Sequence, residues 1–224
     1  MKIPLRVRKQ ARTRLNLARL LTERLEDQSL EALAVRELCE LAEISEATFF
    51  NYFPKKTDLL AYLGRLWTLE LQWHAARAAE QAPGLASIHA VFDRAAAQFQ
   101  ASPGAMLEYL ALLARRRERG GPLPLDTADR LLAFPDHPGI ETLPDRSLET
   151  VFAEQLRLAI DRGELPPNTH LNTLMAALAT LFHGTILAVG RANPGAVRGL
   201  YRQELNLLWA GTRALAGAKQ QAIQ

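Results

Sequence analysis

The chain has 224 residues, 48% of them apolar and 23% charged, a composition that excludes a disordered polymer and can fill the core of one large or two small domains. Its single cysteine, Cys39, excludes an internal disulfide framework, and no apolar run follows the first charges, so no secretory signal is expected and cytoplasmic residence is the default. A formal net charge of +3 is too small to establish a nucleic-acid partner.

The distribution of that charge is more informative. Residues 1–24 hold eight cations (Lys2, Arg6, Arg8, Lys9, Arg12, Arg14, Arg19, Arg24) against one acid, Glu23. Alone, such a stretch reads as a solvated basic tail; ahead of a DNA-binding motif it reads as an arm along phosphates. A first helix is predicted from Arg8 to Glu26, with Leu15, Ala18, Leu21 and Leu25 as its inner stripe. Ser29 to Ala34 link it to the next element.

In that element, Val35, Leu38, Cys39 and Ala42 recur at i, i+3, i+4 and i+7 and form the buried face of a two-turn helix. Glu43 and Ile44 make a turn, and Ser45 is placed to cap a second helix beginning at Glu46. Phe49 and Phe53 share a face of that helix and fill the space between the two, while Glu46, Ala47, Thr48, Asn51 and Lys56 point elsewhere. This outward set is small, polar and partly basic, the combination that lets a helix approach the major groove, reach base edges and meet phosphates. Pro54 ends the second helix.

The run Leu38-Cys39-Glu40-Leu41-Ala42-Glu43-Ile44-Ser45-Glu46-Ala47-Thr48-Phe49-Phe50-Asn51-Tyr52-Phe53-Pro54-Lys55-Lys56-Thr57-Asp58-Leu59 resembles the helix-turn-helix of the TetR family of bacterial regulators, in register and without a gap. The motif covers the first quarter of the chain; the rest is similar in length and helical character. The resemblance implies an all-α protein with a three-helix DNA-binding domain at residues 1–60 and a helical ligand-binding and dimerisation domain at residues 61–224. It further implies a homodimer on double-stranded DNA, with Arg36, Ser45, Glu46, Ala47, Thr48, Phe50, Asn51, Tyr52, Lys55 and Lys56 at the interface. Three positions depart from the family pattern. Glu43 stands where the family has a turn glycine, at a cost on the order of 1 kcal/mol if the backbone is left-handed there. Phe50 lacks the hydroxyl that the family's usual tyrosine offers a phosphate. Glu46 brings a carboxylate to the first turn, where it accepts from a cytosine amino group or caps the helix dipole, the latter being the commoner role.

Beyond Pro54 a long helix is predicted from Lys55 to Gln81, striped by Leu59, Leu63, Trp67, Glu70, Leu71 and His74. It bridges both halves, and the resemblance implies that its tilt moves the DNA-binding heads. Further helices are predicted at Leu85–Ala101, Gly104–Arg119, Asp126–Phe134, Asp145–Arg162, Asn168–Arg191 and Gly195–Leu215, separated by Pro- and Gly-containing breakers that include Gly120-Gly121-Pro122. No alternating strand pattern is present, so the fold class is all-α. The twenty residues Leu171–Gly190 contain no Asp, Glu, Lys or Arg and are long enough to span a bilayer. Their Asn172, Thr173, Thr180, His183 and Thr185 favour burial between subunits instead, so no membrane partner is expected. Small Ala177, Gly184 and Ala188 allow this helix to approach its copy, beside a helix carrying Leu200, Leu207, Leu208 and Trp209.

No phosphate loop, nucleophile elbow, zinc-protease motif or paired cysteine ligands occur, so neither catalysis nor a cofactor is expected. Asp136, His137 and Glu141 share a Pro-rich loop, but metal ligands normally come from rigid, supported positions, so a solvated loop is preferred and no metal is expected. Under the family resemblance, a small apolar or aromatic effector releases DNA from a repressor. Trp67, Leu71, His74, Met106, Tyr109, Phe152, Met175 and His183 are the candidates for contacting it, His183 being alternatively a core or interface histidine. The competing reading is an all-α partner-binding adaptor, or an enzyme, without sequence-specific DNA binding.

Overall fold

The computed structural model describes residues 3–115 and 124–221; Lys2, the expected helix end at Arg119 and the Gly120-Gly121-Pro122 breaker lie outside them. The described residues form helices α1 (Leu5–Arg24), α2 (Val35–Leu41), α3 (Glu46–Tyr52), α4 (Lys56–Gln81), α5 (Leu85–Ala101), α6 (Pro103–Arg115), α7 (Thr127–Ala133), α8 (Leu148–Asp161), α9 (Leu171–Val189) and α10 (Val197–Gln221), with short 3-10 turns and no strand. The all-α expectation holds. Boundaries move where proline decides them: α1 begins a turn earlier than expected, directly after Pro4, and α6 begins at Pro103, whose missing N–H costs nothing in a first turn.

Two compact units result, Met1–Glu70 with Ser102–Asp145 and Leu71–Ala101 with Arg146–Gln224; the chain passes from the first to the second within α4. The first unit includes α6 and α7, which pack on α1.

In the first unit, α1 buries Ala11, Leu17, Ala18, Leu20 and Leu21; the expected stripe shifts, with Leu15 only half-buried and Leu17 fully inside. The N-terminus of α6 abuts the end of α1. Glu26 accepts from the Gly104 and Ala105 amides at 3.1 to 3.3 Å, satisfying donors that the helix itself leaves open. A Cβ on Gly104 would lie 2.0 Å from the Leu25 carbonyl oxygen, so only glycine permits this approach.

In the second unit, α5 packs on α8 and α10, and α9 on α8 and α10. Phe92, Phe152, Phe182 and Tyr201 form its aromatic centre at ring separations of 4.8 to 6.2 Å. The Tyr201 hydroxyl donates to the Phe182 carbonyl, and Arg202 pairs with Asp93 at 2.9 Å. Midway along α10 the Trp209 indole N–H donates to His89 Nε2 at 3.1 Å, which requires a neutral imidazole. Burial holds the His89 pKa below its ordinary 6.5; Asp93 pulls it back up and Arg202 adds to the depression. A lowered histidine pKa contributes stability that is complete above pH 6.5 and is lost as pH falls from there toward the depressed folded value. Thermal midpoints measured from pH 8 to pH 5 are therefore expected to fall below pH 6.5, and His89→Gln, which keeps an acceptor but cannot titrate, to flatten that decline.

Candidate nucleic-acid interface

The α2–turn–α3 segment is built from local devices. Helix α2 ends with Glu43 N–H donating to the Glu40 carbonyl at 3.3 Å and Ile44 N–H to Cys39 at 3.0 Å, while Glu43 takes φ 54°. This is the paired-bond stop that helices usually complete with a left-handed glycine. The same chain uses glycine for it after α8, where Gly163 has φ 75°. Glu43 thus keeps the tight turn at the expense of strain, and Glu43→Gly is expected to stabilise the chain by about 0.5 to 1 kcal/mol, relief of strain outweighing the added freedom of the unfolded chain. A higher urea midpoint with an unchanged slope would show it; a lower midpoint would contradict it.

Ser45 caps α3, its hydroxyl accepting from Thr48 N–H at 3.1 Å and lying 2.9 Å from the Thr48 hydroxyl. Phe49 and Phe53 are buried as expected, with Phe53 also against Tyr62 of α4 at 5.5 Å. That packing leaves one face of α3 outward: Glu46, Ala47, Phe50 and Asn51 are all exposed. Thr48 and Tyr52 are half-buried and line, with Asn51, a cleft of about 670 Å³ whose other walls are Arg6, Gln10 and Arg14 of α1 and the Asp126–Asp129 turn of α7.

The cations divide into two groups. Arg14 pairs with Asp126 and Asp129, Arg19 with Glu23, Arg24 with Glu37 and Arg36 with Glu40, at 2.5 to 2.9 Å. Arg6, Arg8, Lys9 and Arg12, in the first turns of α1, are exposed and have no ion pair among the described residues. Lys56 is occupied differently from the phosphate role expected of it: its ammonium donates to the Glu31 and Leu33 carbonyls at 2.8 and 2.9 Å, holding the loop ahead of α2. Lys55 is exposed beside it. The sequence pattern marked both lysines, but not which of them the fold uses to hold its own backbone.

The firmest polar assembly was not apparent from the motif. Asp129, 2% exposed, accepts from Arg14 at 2.8 to 3.0 Å and from the Tyr62 hydroxyl at 2.8 Å, joining α1, α4 and α7. Asp126 caps α7 in a reciprocal box with Asp129. Burial pushes the Asp129 carboxyl upward in pKa, opposed by the hydrogen bonds from Tyr62 and Arg14, and burial likewise keeps the Tyr62 hydroxyl protonated.

The sequence model of the bacterial regulatory proteins, tetR family, matches residues 22–63, from the last turn of α1 into α4. Residues 22–63 belong to the TetR family. They supply a TetR-like transcriptional regulator with its DNA-binding helix-turn-helix. No curated protein matches the chain.

The candidate effector contacts fall in both compact units. In the first unit, Trp67 lies edge-on to Tyr109 at 5.9 Å, Tyr109 packs against Gly64, and Met106 is buried. In the second, Leu71 and Phe152 are buried, His74 and Met175 are half-buried, and His183 is on the outer face of α9 with Nδ1 3.0 Å from the Ala179 carbonyl oxygen. A second cleft, about 240 Å³ between α9 and α10, is lined by Asn168, Thr169, His170, Thr173, Leu174, Thr212 and Leu215 and includes none of these candidates. In the Pro-rich loop, His137 Nε2 lies 3.6 Å from the Glu70 carboxylate and its ring is tilted against Phe134 at 5.3 Å.

Proposed function

We propose that this TetR-like regulator is a cytoplasmic, homodimeric repressor whose residues 1–60 bind a near-palindromic operator and whose residues 61–224 carry the dimer contact and bind a small apolar or aromatic effector that releases DNA. No catalytic step, metal or cofactor enters this reading. The observation that carries it is the outward face of α3, Glu46, Ala47, Phe50 and Asn51, in a segment of the TetR family, with the exposed cations of α1 in the same compact unit. One reading helix covers only a few base pairs, so a two-fold dimer is expected to need half-sites about one helical turn apart or a multiple of it.

The dimer part of the proposal is supported by α9 and α10. Leu187 and Leu207 are 59% and 73% exposed, and Gly184, Gly199 and Gly211 face open space. By length and composition Leu171–Ala192 could cross a membrane, with 22% of its apolar window buried. A partner copy covers this surface equally well and suits a DNA-binding protein better. Release by the effector acts through α4, whose residues belong to both units. A hundredfold loss of operator affinity takes about 2.7 kcal/mol of coupling, and DNA must weaken the effector by the same factor. Footprinting on the DNA flanking the gene tests the reading: a protected near-palindrome is expected, and uniform, sequence-independent protection would leave the adaptor or enzyme as the better account.

A further inference from the structure

The outward face of α3 holds two residues whose chemistry differs from a neutral DNA-reading helix. Glu46 is exposed and makes no hydrogen bond among the described residues; Arg36 of α2, paired with Glu40, is near enough to feel its charge. Phe50, one turn further along the same face, is 46% exposed, yet it is not loose: its ring stands edge-on to the fully buried Phe49 at 5.4 Å and 85°. An anion pressed into the major groove meets phosphate repulsion and, at guanine N7 and O6 or thymine O4, only acceptors. It is tolerated opposite an exocyclic amine, and cytosine N4 is the usual partner of a carboxylate. A phenyl ring without a hydroxyl has no hydrogen bond to give a phosphate, but it matches the thymine methyl.

We propose that Glu46 and Phe50 set the base preference of the reading helix, Glu46 accepting from a cytosine amino group and Phe50 packing on a thymine methyl in the same half-site. The proposal rests on the DNA-binding reading above and deepens it. Four residues of helix advance about 6 Å, and stacked base pairs are about 3.4 Å apart, so the two bases lie one or two steps from each other. Glu46 then acts chiefly by exclusion: wherever guanine or thymine replaces the cytosine, its carboxylate is left desolvated and unpaired.

The test is selection from a random duplex pool with the full chain and three variants. The wild type is expected to enrich a half-site with one invariant C and one invariant T. Glu46→Ala is expected to lose the preference at the C alone, with about a tenfold fall in discrimination, and Glu46→Gln to move it to adenine, the base glutamine pairs with. Phe50→Ala is expected to lose the preference at the T. Deoxyuridine in place of that thymidine, which removes only the methyl, should weaken the wild type several-fold and Phe50→Ala not at all. Both side chains are exposed, and unchanged thermal midpoints would show that the variants fold. If all four proteins enrich the same half-site, the proposal is overturned while the regulatory reading stands. If the wild type enriches nothing, both fall.

Discussion

Asp129→Ala is expected to lower the unfolding free energy by about 3 kcal/mol and to abolish tight DNA binding, although Asp129 lies 77 residues beyond Tyr52, the last residue of α3. The carboxylate is 2% exposed and is the shared acceptor of Arg14 and Tyr62, so its removal leaves a part-buried guanidinium with only Asp126 and a buried hydroxyl with nothing. This cost is at the low end for a broken buried pair because Arg14 keeps 17% of its side-chain surface in water and is partly hydrated. Asp129→Asn, which retains one acceptor oxygen, is expected to cost less. Chemical denaturation of both variants, followed by circular dichroism, gives the ordering, and equal stability of wild type and Asp129→Ala would show that the network adds nothing net.

The second large effect is expected at the proposed dimer contact. Ala188 is exposed on α9, one residue from Leu187, whereas Ala177 is half-buried against its own unit. A glutamate at Ala177 would therefore disturb folding, and Ala188→Glu is the cleaner probe. In a two-fold contact it places two unpaired carboxylates in one apolar interface, and a cost of about 3 kcal/mol raises the dimer dissociation constant by a factor of at least about 100. Sedimentation should then show monomers at concentrations where the wild type is dimeric, with operator binding weakened in parallel. Dimers that persist would place the contact elsewhere.

The parts of this molecule legible in its sequence are those determined within a few residues. Ser45 as a cap, Phe49 and Phe53 on one face, and the stop at Pro54 each follow from local spacing, and the structure places them as expected. What escaped depends on contacts between distant segments. Lys56 reaches back 25 residues to the Glu31 carbonyl, and Arg14 reaches forward 115 to Asp129. Neither partner can be named from periodicity. A signal was nevertheless present for the second: Arg14 falls in helical register with buried Ala18 and Leu21, where a guanidinium demands an acid, and Asp126 and Asp129 have the spacing of a cap box. The strain at Glu43 was legible in kind, since a family glycine is missing, but only the backbone angle of 54° shows that the turn kept its shape.

Sequence-specific duplex recognition by the outward face of α3 is tested most directly by titrating the selected operator and a scrambled duplex of equal length over a range of salt. The wild type is expected to prefer the operator by a factor of about 1,000 or more. Asn51→Ala should reduce that ratio by about tenfold with little change in salt slope, since the proposed function gives this exposed amide a base-reading role. Arg12→Ala, which removes an exposed α1 cation with no ion pair among the described residues, should weaken both duplexes alike and lower the slope by about one unit. Equal affinity of the wild type for operator and scrambled DNA, or an Asn51→Ala loss of the same size on both, would contradict the account.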